Sequence, residues 1–240
     1  MLDGRVIATV VPALDEAEFI TEVIETMPYF VDRIIVVDDA SRDATSERTA
    51  RARGHAPVEV IRHAQTRGVG AAITTGYRAA LRAGADVVAV MAGDGQMAPE
   101  ELLAVVLPIV RGEADYVKGN RLRHHAVWRV MPKGRLLGSI VLSELTTWAI
   151  GQPIHDSQCG FTAIGRDALR RIGLDTLWAR FGYPNDLLAT IARSGGRIVE
   201  VEVSPIYRGE QSHLRAHHVF TILYLIARAR LRRSTLDPQR

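Results

Sequence analysis

The stretch Arg33-Ile-Ile-Val-Val-Asp-Asp-Ala-Ser41 decides the fold. Four consecutive β-branched residues with no turn former read as a strand buried on both faces. Two carboxylates, Asp38 and Asp39, stand where that strand ends, and Ser41 and Asp43 are placed to cap a following helix. In open α/β sheets, ligands bind in the crevice beyond the carboxyl ends of the strands. Acids in that place point to a ligand, although an Asx turn feeding a helix would use the same residue types.

The pattern recurs twice. Val6–Pro12 is an apolar run followed by Asp15 and Glu16, and Val87–Met91 is another followed by Asp94 and Gln96. In a parallel sheet these ends lie on one edge, so the acids converge. A cation, or a polyhydroxylated ligand clamped by positive groups, would relieve their mutual repulsion.

Strand-like and helix-like segments alternate around these runs. Asp15-Glu-Ala-Glu18 reads as a capping box for a helix through about Met27. Further helices are expected over 43–52, from Gly68-Val-Gly70 to about Gly84, and from Pro99, with a strand at Val58–Arg62. Such alternation predicts an α/β fold, a doubly wound, mostly parallel sheet with helices on both faces. Strands at 115–118, 161–164 and 197–203, and a helix within 135–150, extend the same sheet in a single domain. The expected boundaries are a domain over 1–214 and a C-terminal basic amphipathic helix and tail over 215–240.

Composition limits the function classes. With 240 residues, 47% of them hydrophobic, the chain can bury a substantial core. Cys159 is the single cysteine, so no intramolecular disulfide forms. That and the lack of a leader-like N-terminus predict a cytoplasmic location, at the inner face of the membrane. A net charge of +3 is too small to argue for nucleic acid, and no nucleic-acid partner is expected. Arg dominates over Lys (only Lys118 and Lys133), which suits bidentate recognition of phosphate.

Rival motifs fall short. Gly68-Val-Gly-Ala-Ala-Ile73 lacks the third small residue and the acid of a dinucleotide loop, and reads as a tight strand-to-helix turn. There is no phosphate loop and no Gly-x-Ser-x-Gly elbow. His155 with Cys159, and His213, His217 and His218, lack the remaining ligands of a zinc site.

Taken in order, Pro12-Ala-Leu-Asp-Glu16, Val36-Val-Asp-Asp-Ala-Ser41, Gly68-Val-Gly-Ala-Ala72 and Gly93-Asp-Gly-Gln96 resemble the family 2 glycosyltransferases, which have the GT-A fold. Lys118-Gly-Asn-Arg121, Asp156-Ser-Gln-Cys-Gly-Phe161 and Asn185-Asp186 are similar to the dolichyl-phosphate mannosyltransferase and polyprenyl-phosphate glycosyltransferase subgroup. The resemblance implies that Pro12, Asp15, Glu16, Asp38, Asp39, Asp94 and Arg135 bind a nucleoside-diphosphate sugar, GDP- or UDP-linked. It implies Mg2+ or Mn2+ held by Asp94 and Gln96, since hard oxygen ligands suit these ions. Arg121 and Arg208 would stabilise the leaving diphosphate, and Asp186 stands in the position of the family's base. Ala92 departs from the pattern, because the family's Asp-x-Asp motif has its first Asp there. Either another acid such as Asp39 supplies the charge, or metal binding is weakened, or the protein is a binder that has lost turnover.

The resemblance implies an inverting transfer to an acceptor, polyprenyl phosphate or alternatively a saccharide or small-molecule hydroxyl. A hydroxyl needs a base, whereas a phosphate is already ionised and Asp186 would only orient it. A sugar nucleotidyltransferase is set aside, because the first turn has no Gly-rich loop bearing Arg and Lys. Val219–Ala227 is too short to span a bilayer, which takes about 20 residues, and leads into Arg228, Arg230, Arg232 and Arg233. An interfacial helix on anionic lipid and an ordinary packed terminal helix both fit that pattern. The oligomeric state is left open.

Overall fold

The computed structural model describes residues 1–207 and 216–234. The first half runs β1 (Ile7–Ala13), α1 (Ile20–Glu25), β2 (Arg33–Asp38), α2 (Thr45–Arg51), β3 (Val58–Arg62), α3 (Val69–Arg82), β4 (Val87–Val90) and α4 (Leu102–Val110). The second half runs β5 (Tyr116–Asn120), α5 (Val127–Val130), α6 (Lys133–Ile150), β6 (Thr162–Gly165), α7 (Arg166–Arg171), α8 (Tyr183–Arg193), β7 (Ile198–Glu202) and α9 (Ala216–Ser234).

The strands form one sheet in the order β3-β2-β1-β4-β6-β5-β7. Strands β1 to β4 are mutually parallel, and β6 runs against both β4 and β5. Strand β5 therefore points the same way as β4, and β7 pairs parallel to β5. The carboxyl ends of every strand except β6, together with the amino end of β6, meet on one edge. That edge gathers the strand-end acids.

Alternating residues of β2 show how the sheet is covered. Ile35 and Val37 pack with Tyr77, Leu187 and Ile222 on one face, while Ile34 and Val36 pack with Ile24, Leu102 and Val105 on the other. All four strand residues are fully buried, as expected of a strand with helices on both faces. Helix α9 completes the first face by burying Ile222, Leu225, Ile226 and Ala229 against α6 and α8. No helix among the described residues is long and apolar enough to cross a membrane.

Two expected caps do not form. Helix α1 begins at Ile20 with Phe19 at its N-cap and no side-chain cap bond, so Asp15–Glu18 is not a capping box. Asp15 instead adopts a left-handed conformation (φ 59°) and its carboxylate accepts from the Arg42 amide at 2.7 Å. Ser41 Oγ accepts from the Asp15 amide at 3.0 Å, so Ser41 does not cap α2. Asp43 does act locally, accepting from the Thr45 amide at 2.9 Å ahead of the helix. The competing long-range donors win because both loops must cross at the same strand ends. Helices α5 and α7 were not expected from periodicity, being too short to show it.

Candidate functional site

The loops after β1 and β2 are laced together. The Asp39 amide donates to the Ala13 carbonyl at 2.9 Å, the Glu16 amide to Thr45 Oγ1 at 2.8 Å and the Ala17 amide to Asp43 Oδ2 at 3.0 Å. Ala40, like Asp15, has a positive φ (67°), which a non-glycine residue adopts at a cost of about 1–3 kcal/mol. Strain of this kind collects at ligand-binding turns.

The acids converge as expected, but they are not equally available. Asp38 is fully buried and accepts from the Ser41 amide at 2.7 Å and from Ser46 Oγ, with Arg62 at 3.3 Å. Burial alone would raise its pKa; hydrogen bonds from Ser41 and Ser46 outweigh burial and hold the carboxyl below its usual range. Asp39 accepts from His63 Nδ1 at 2.6 Å and from the Arg67 and Gly68 amides at 2.9 and 2.7 Å. With Nδ1 protonated, His63 Nε2 accepts from the Thr75 hydroxyl at 3.0 Å. Much of the repulsion expected between Asp38 and Asp39 is thus relieved inside the chain. Asp15 is exposed, and Pro12 and Glu16 are half-buried at the same edge.

Asp94 follows β4, half-buried, and accepts from the Gln96 amide at 3.0 Å in a tight turn. Asp39 is committed to His63 and the 67–68 amides, so it is poorly placed to replace the acid missing at Ala92. Glu16 runs beside this turn: a Cβ added to Gly93 would lie 3.5 Å from Glu16 Cβ. No cluster of three or more His, Cys, Asp or Glu residues with metal-holding geometry occurs among the described residues. Magnesium-like ions need no such cage, because they bind through one or two carboxylates plus substrate phosphates. Asp94 with the Gln96 carbonyl fits an ion that arrives with a diphosphate.

Arg121, after β5, is forked onto Asp156: Nε donates to Oδ2 at 2.8 Å and one Nη to Oδ1 at 3.0 Å. Burial alone would lower the arginine and raise the acid, but each partner's charge prevails, so Arg121 holds its proton more tightly and Asp156 less tightly than usual. Lys118 lies fully buried beneath this pair, donating to the Cys159 carbonyl at 2.5 Å, and burial lowers its pKa. Burial raises the Cys159 thiol, consistent with a packing role for the single cysteine. Glu200 on β7 supports the group, accepting from the His155 and Asp156 amides.

The remaining predicted residues lie further out. Arg135 of α6 stacks over the Tyr207 ring at 4.9 Å. Asp186 sits buried in the first turn of α8, where Oδ2 accepts from the Trp178 amide at 2.8 Å and Oδ1 pairs with Arg228 of α9. Arg208 and His213 lie outside the described residues, as do the side chains of His217 and His218. His63 and Glu200 were not singled out from the sequence, although His63 directly follows the β3 run and its place at the edge was readable. Asp156 entered only within its motif, and Arg228, read with the basic cluster that follows Val219–Ala227, turns inward to Asp186.

Helices α6 and α9 expose apolar side chains. Leu137, Val141 and Trp148 of α6 and Phe220, Tyr224 and Leu231 of α9 all face outward, Phe220 being 72% exposed. Arg230 lies over the Trp148 ring at 5.0 Å, joining the two helices. Trp128 of α5 is 71% exposed. Residues 116–143 contain six Lys or Arg and no acid.

The fold is that of the GT-A glycosyltransferases. The crystal structure of glucosyl-3-phosphoglycerate synthase from Mycobacterium tuberculosis, in complex with Mn2+, UDP and glucosyl-3-phosphoglycerate, superposes with a TM-score of 0.72 at 20% identity. The match covers 94% of this chain and 80% of that one. The model of glycosyl transferase family 2 matches residues 9–173, and the chain belongs to that family. It is 29% identical over 237 residues to UDP-N-acetylglucosamine–dolichyl-phosphate N-acetylglucosaminyltransferase of Methanococcus voltae, covering 92% of this chain and 94% of the relative. It is 30% identical over 221 residues to undecaprenyl-phosphate mannosyltransferase of Micrococcus luteus, covering 84% of each.

Proposed function

We propose that this protein transfers a sugar from a nucleoside-diphosphate sugar to a polyprenyl phosphate at a membrane surface, with inversion at the anomeric carbon. The observation that carries the reading is the state of Asp186: one carboxylate oxygen accepts from the Trp178 amide and the other pairs with Arg228. A hydroxyl acceptor needs a base with an oxygen facing it; a phosphate acceptor, ionised at neutral pH, does not. Relatives that act on dolichyl or undecaprenyl phosphate support the same choice.

In this reading an acceptor phosphate oxygen attacks the anomeric carbon as the bond to the donor diphosphate breaks, and the electron pair leaves with the diphosphate. Asp15, Glu16 and the laced 13–17 and 39–45 turns hold the nucleotide, with Asp38 and Asp39 fixing the turns rather than reaching the ligand themselves. Mg2+ or Mn2+ would be held by Asp94 and Gln96, and when bound supplies positive charge to the leaving diphosphate. Arg121, with N–H donors left over from its fork on Asp156, and Arg135 face the phosphates, and Arg208 is assigned with them from its motif alone. The exposed faces of α6 and α9 lie on the bilayer, with the exposed Arg123, Arg129 and Lys133 answering anionic headgroups. The domain over 1–214 carries the chemistry, and 215–240 shares the membrane contact with α6.

The test is transfer from UDP- and GDP-sugars to a short-chain polyprenyl phosphate, compared with the free polyprenol and a saccharide. Product with the phosphate alone supports the reading. Product with the hydroxyl acceptors, abolished in Asp186→Asn, would replace it with base-assisted transfer. No turnover with any pair, but turnover in Ala92→Asp, would identify a binder that has lost its metal acid.

A further inference from the structure

We infer that Arg228 is a positioning residue that, through Asp186, keeps the nucleotide end of the cleft in shape, so that the seating of α9 governs donor binding. This rests on the donor assignment proposed above.

A continuous series of contacts runs from α9 to the strand-end loops. Arg228, with a side chain only 20% exposed, pairs with the buried Asp186 and lies 6.0 Å over the Trp178 ring. Asp186 in turn accepts from the Trp178 amide, and Trp178 Nε1 closes the loop by donating to the Phe181 carbonyl at 2.9 Å. Gly182, next along, has φ 95° and meets α9 directly: a Cβ there would come within 2.7 Å of Leu225 Cδ1.

The same loop presses on the amino end of α3. The Ala71 amide donates to the Ala179 carbonyl at 2.8 Å. Gly68 and Gly70 have no room for a side chain, because a Cβ at Gly68 would lie 2.8 Å from the Ala179 carbonyl and one at Gly70 would overlap the Trp178 carbonyl. The Gly68 and Arg67 amides are themselves the donors that fix Asp39 at the end of β2. A shift of α9 is therefore passed, through backbone with no slack, to the turn beside the nucleotide.

Charge makes the seat depend on Asp186. Arg193, Arg228 and Arg232 crowd the α8–α9 seam, and burial first, then Arg232, lowers the Arg193 pKa. Asp186 offsets that charge, pairing with Arg228 and raising the Arg193 pKa. The outer face of α9 carries Phe220, Tyr224 and Leu231, so a bilayer that holds this helix also holds the Arg228–Asp186 pair, which acts as a latch.

The experiment compares Asp186→Asn, Arg228→Met, the double variant and Arg228→Lys, each checked for native circular dichroism. Each single neutral variant should raise donor KM roughly tenfold with a much smaller change in kcat, the double should be no worse than either, and Arg228→Lys should recover part of the loss. A fall in kcat of about 10²-fold or more in Asp186→Asn, with Arg228→Met unaffected, would make Asp186 a base and overturn the latch. Chymotrypsin cleavage within α9, at Phe220, Tyr224 or Leu231, needs no donor and should accelerate in both single variants; unchanged cleavage also overturns the proposal. If no nucleotide sugar is turned over, the donor assignment fails while the cleavage comparison still reads the latch. Should Arg228→Met fail to fold, the neutral Arg228→Gln carries the same comparison.

Discussion

The two sides of the cleft are made differently. On the β1–β3 side, carboxylates are fixed by backbone amides and hydroxyls within the chain, as in Asp38 with Ser41 and Asp39 with Gly68. On the β5–α9 side, arginines are fixed by buried acids, as in Arg121 with Asp156 and Arg228 with Asp186, and the helices beyond them present aromatic side chains to the outside. The first arrangement makes a rigid rim for a polar ligand. The second stores positive charge beside an apolar surface, which suits an acceptor with an anionic head and an apolar tail.

The comparison breaks most sharply at Asp94, which belongs to neither arrangement. Asp94→Ala should lower turnover by about 10²–10³-fold and abolish the manganese-dependent part of a UDP or GDP thermal shift, leaving the ligand-free melting temperature in place. Separating the arginine side from its acids comes next. Asp156→Ala leaves Arg121 and Lys118 buried without their carboxylate and should cost about 3–5 kcal/mol in urea unfolding, whereas Asp15→Asn, which keeps a side-chain acceptor for the Arg42 amide, should cost under about 1 kcal/mol.

Acid should weaken both sides together. Asp38 and Asp156 have lowered pKa values in the folded state, so the unfolded chain binds their protons more tightly. Their stabilisation is complete above about pH 4 and is lost as pH falls through the folded values, which unfolding midpoints taken from about pH 7 to about pH 3 will record. The apolar surface is sharpened by Phe220→Glu with Leu231→Glu, which should reduce sedimentation with anionic vesicles several-fold while leaving the melting temperature within about 2 °C. Deletion of 215–240 should reduce it too, but also removes the latch. The smallest effect expected is in Ala92→Asp, which should tighten manganese about tenfold, since Asp94 already supplies one carboxylate.

How much of this was legible varies along the chain. The β2 run Ile34–Val37 announced itself, because a strand buried on both faces has no polar residue to dilute the signal, and β3 was read to its observed ends. The acids at the strand ends followed from the same runs. The roles of those acids were harder. Asp15–Glu18 has the sequence of a capping box, yet Asp15 turns to the Arg42 amide 27 residues away. Asp39 was one of several answers to the acid missing at Ala92, and nothing in the sequence marked the three donors from the 63–68 segment that hold it.

The sequence by itself determined the alternating α/β order and the edge at which chemistry collects, because buried periodicity and strand-end acids are local patterns, and its ordered motifs carried the resemblance to the family. Only the tertiary structure decided which charged groups are committed to one another. Asp156 reaches Arg121 across 35 positions and Arg228 reaches Asp186 across 42, and a side chain's partner at such separations is set by how helices and strands pack, which no local pattern encodes.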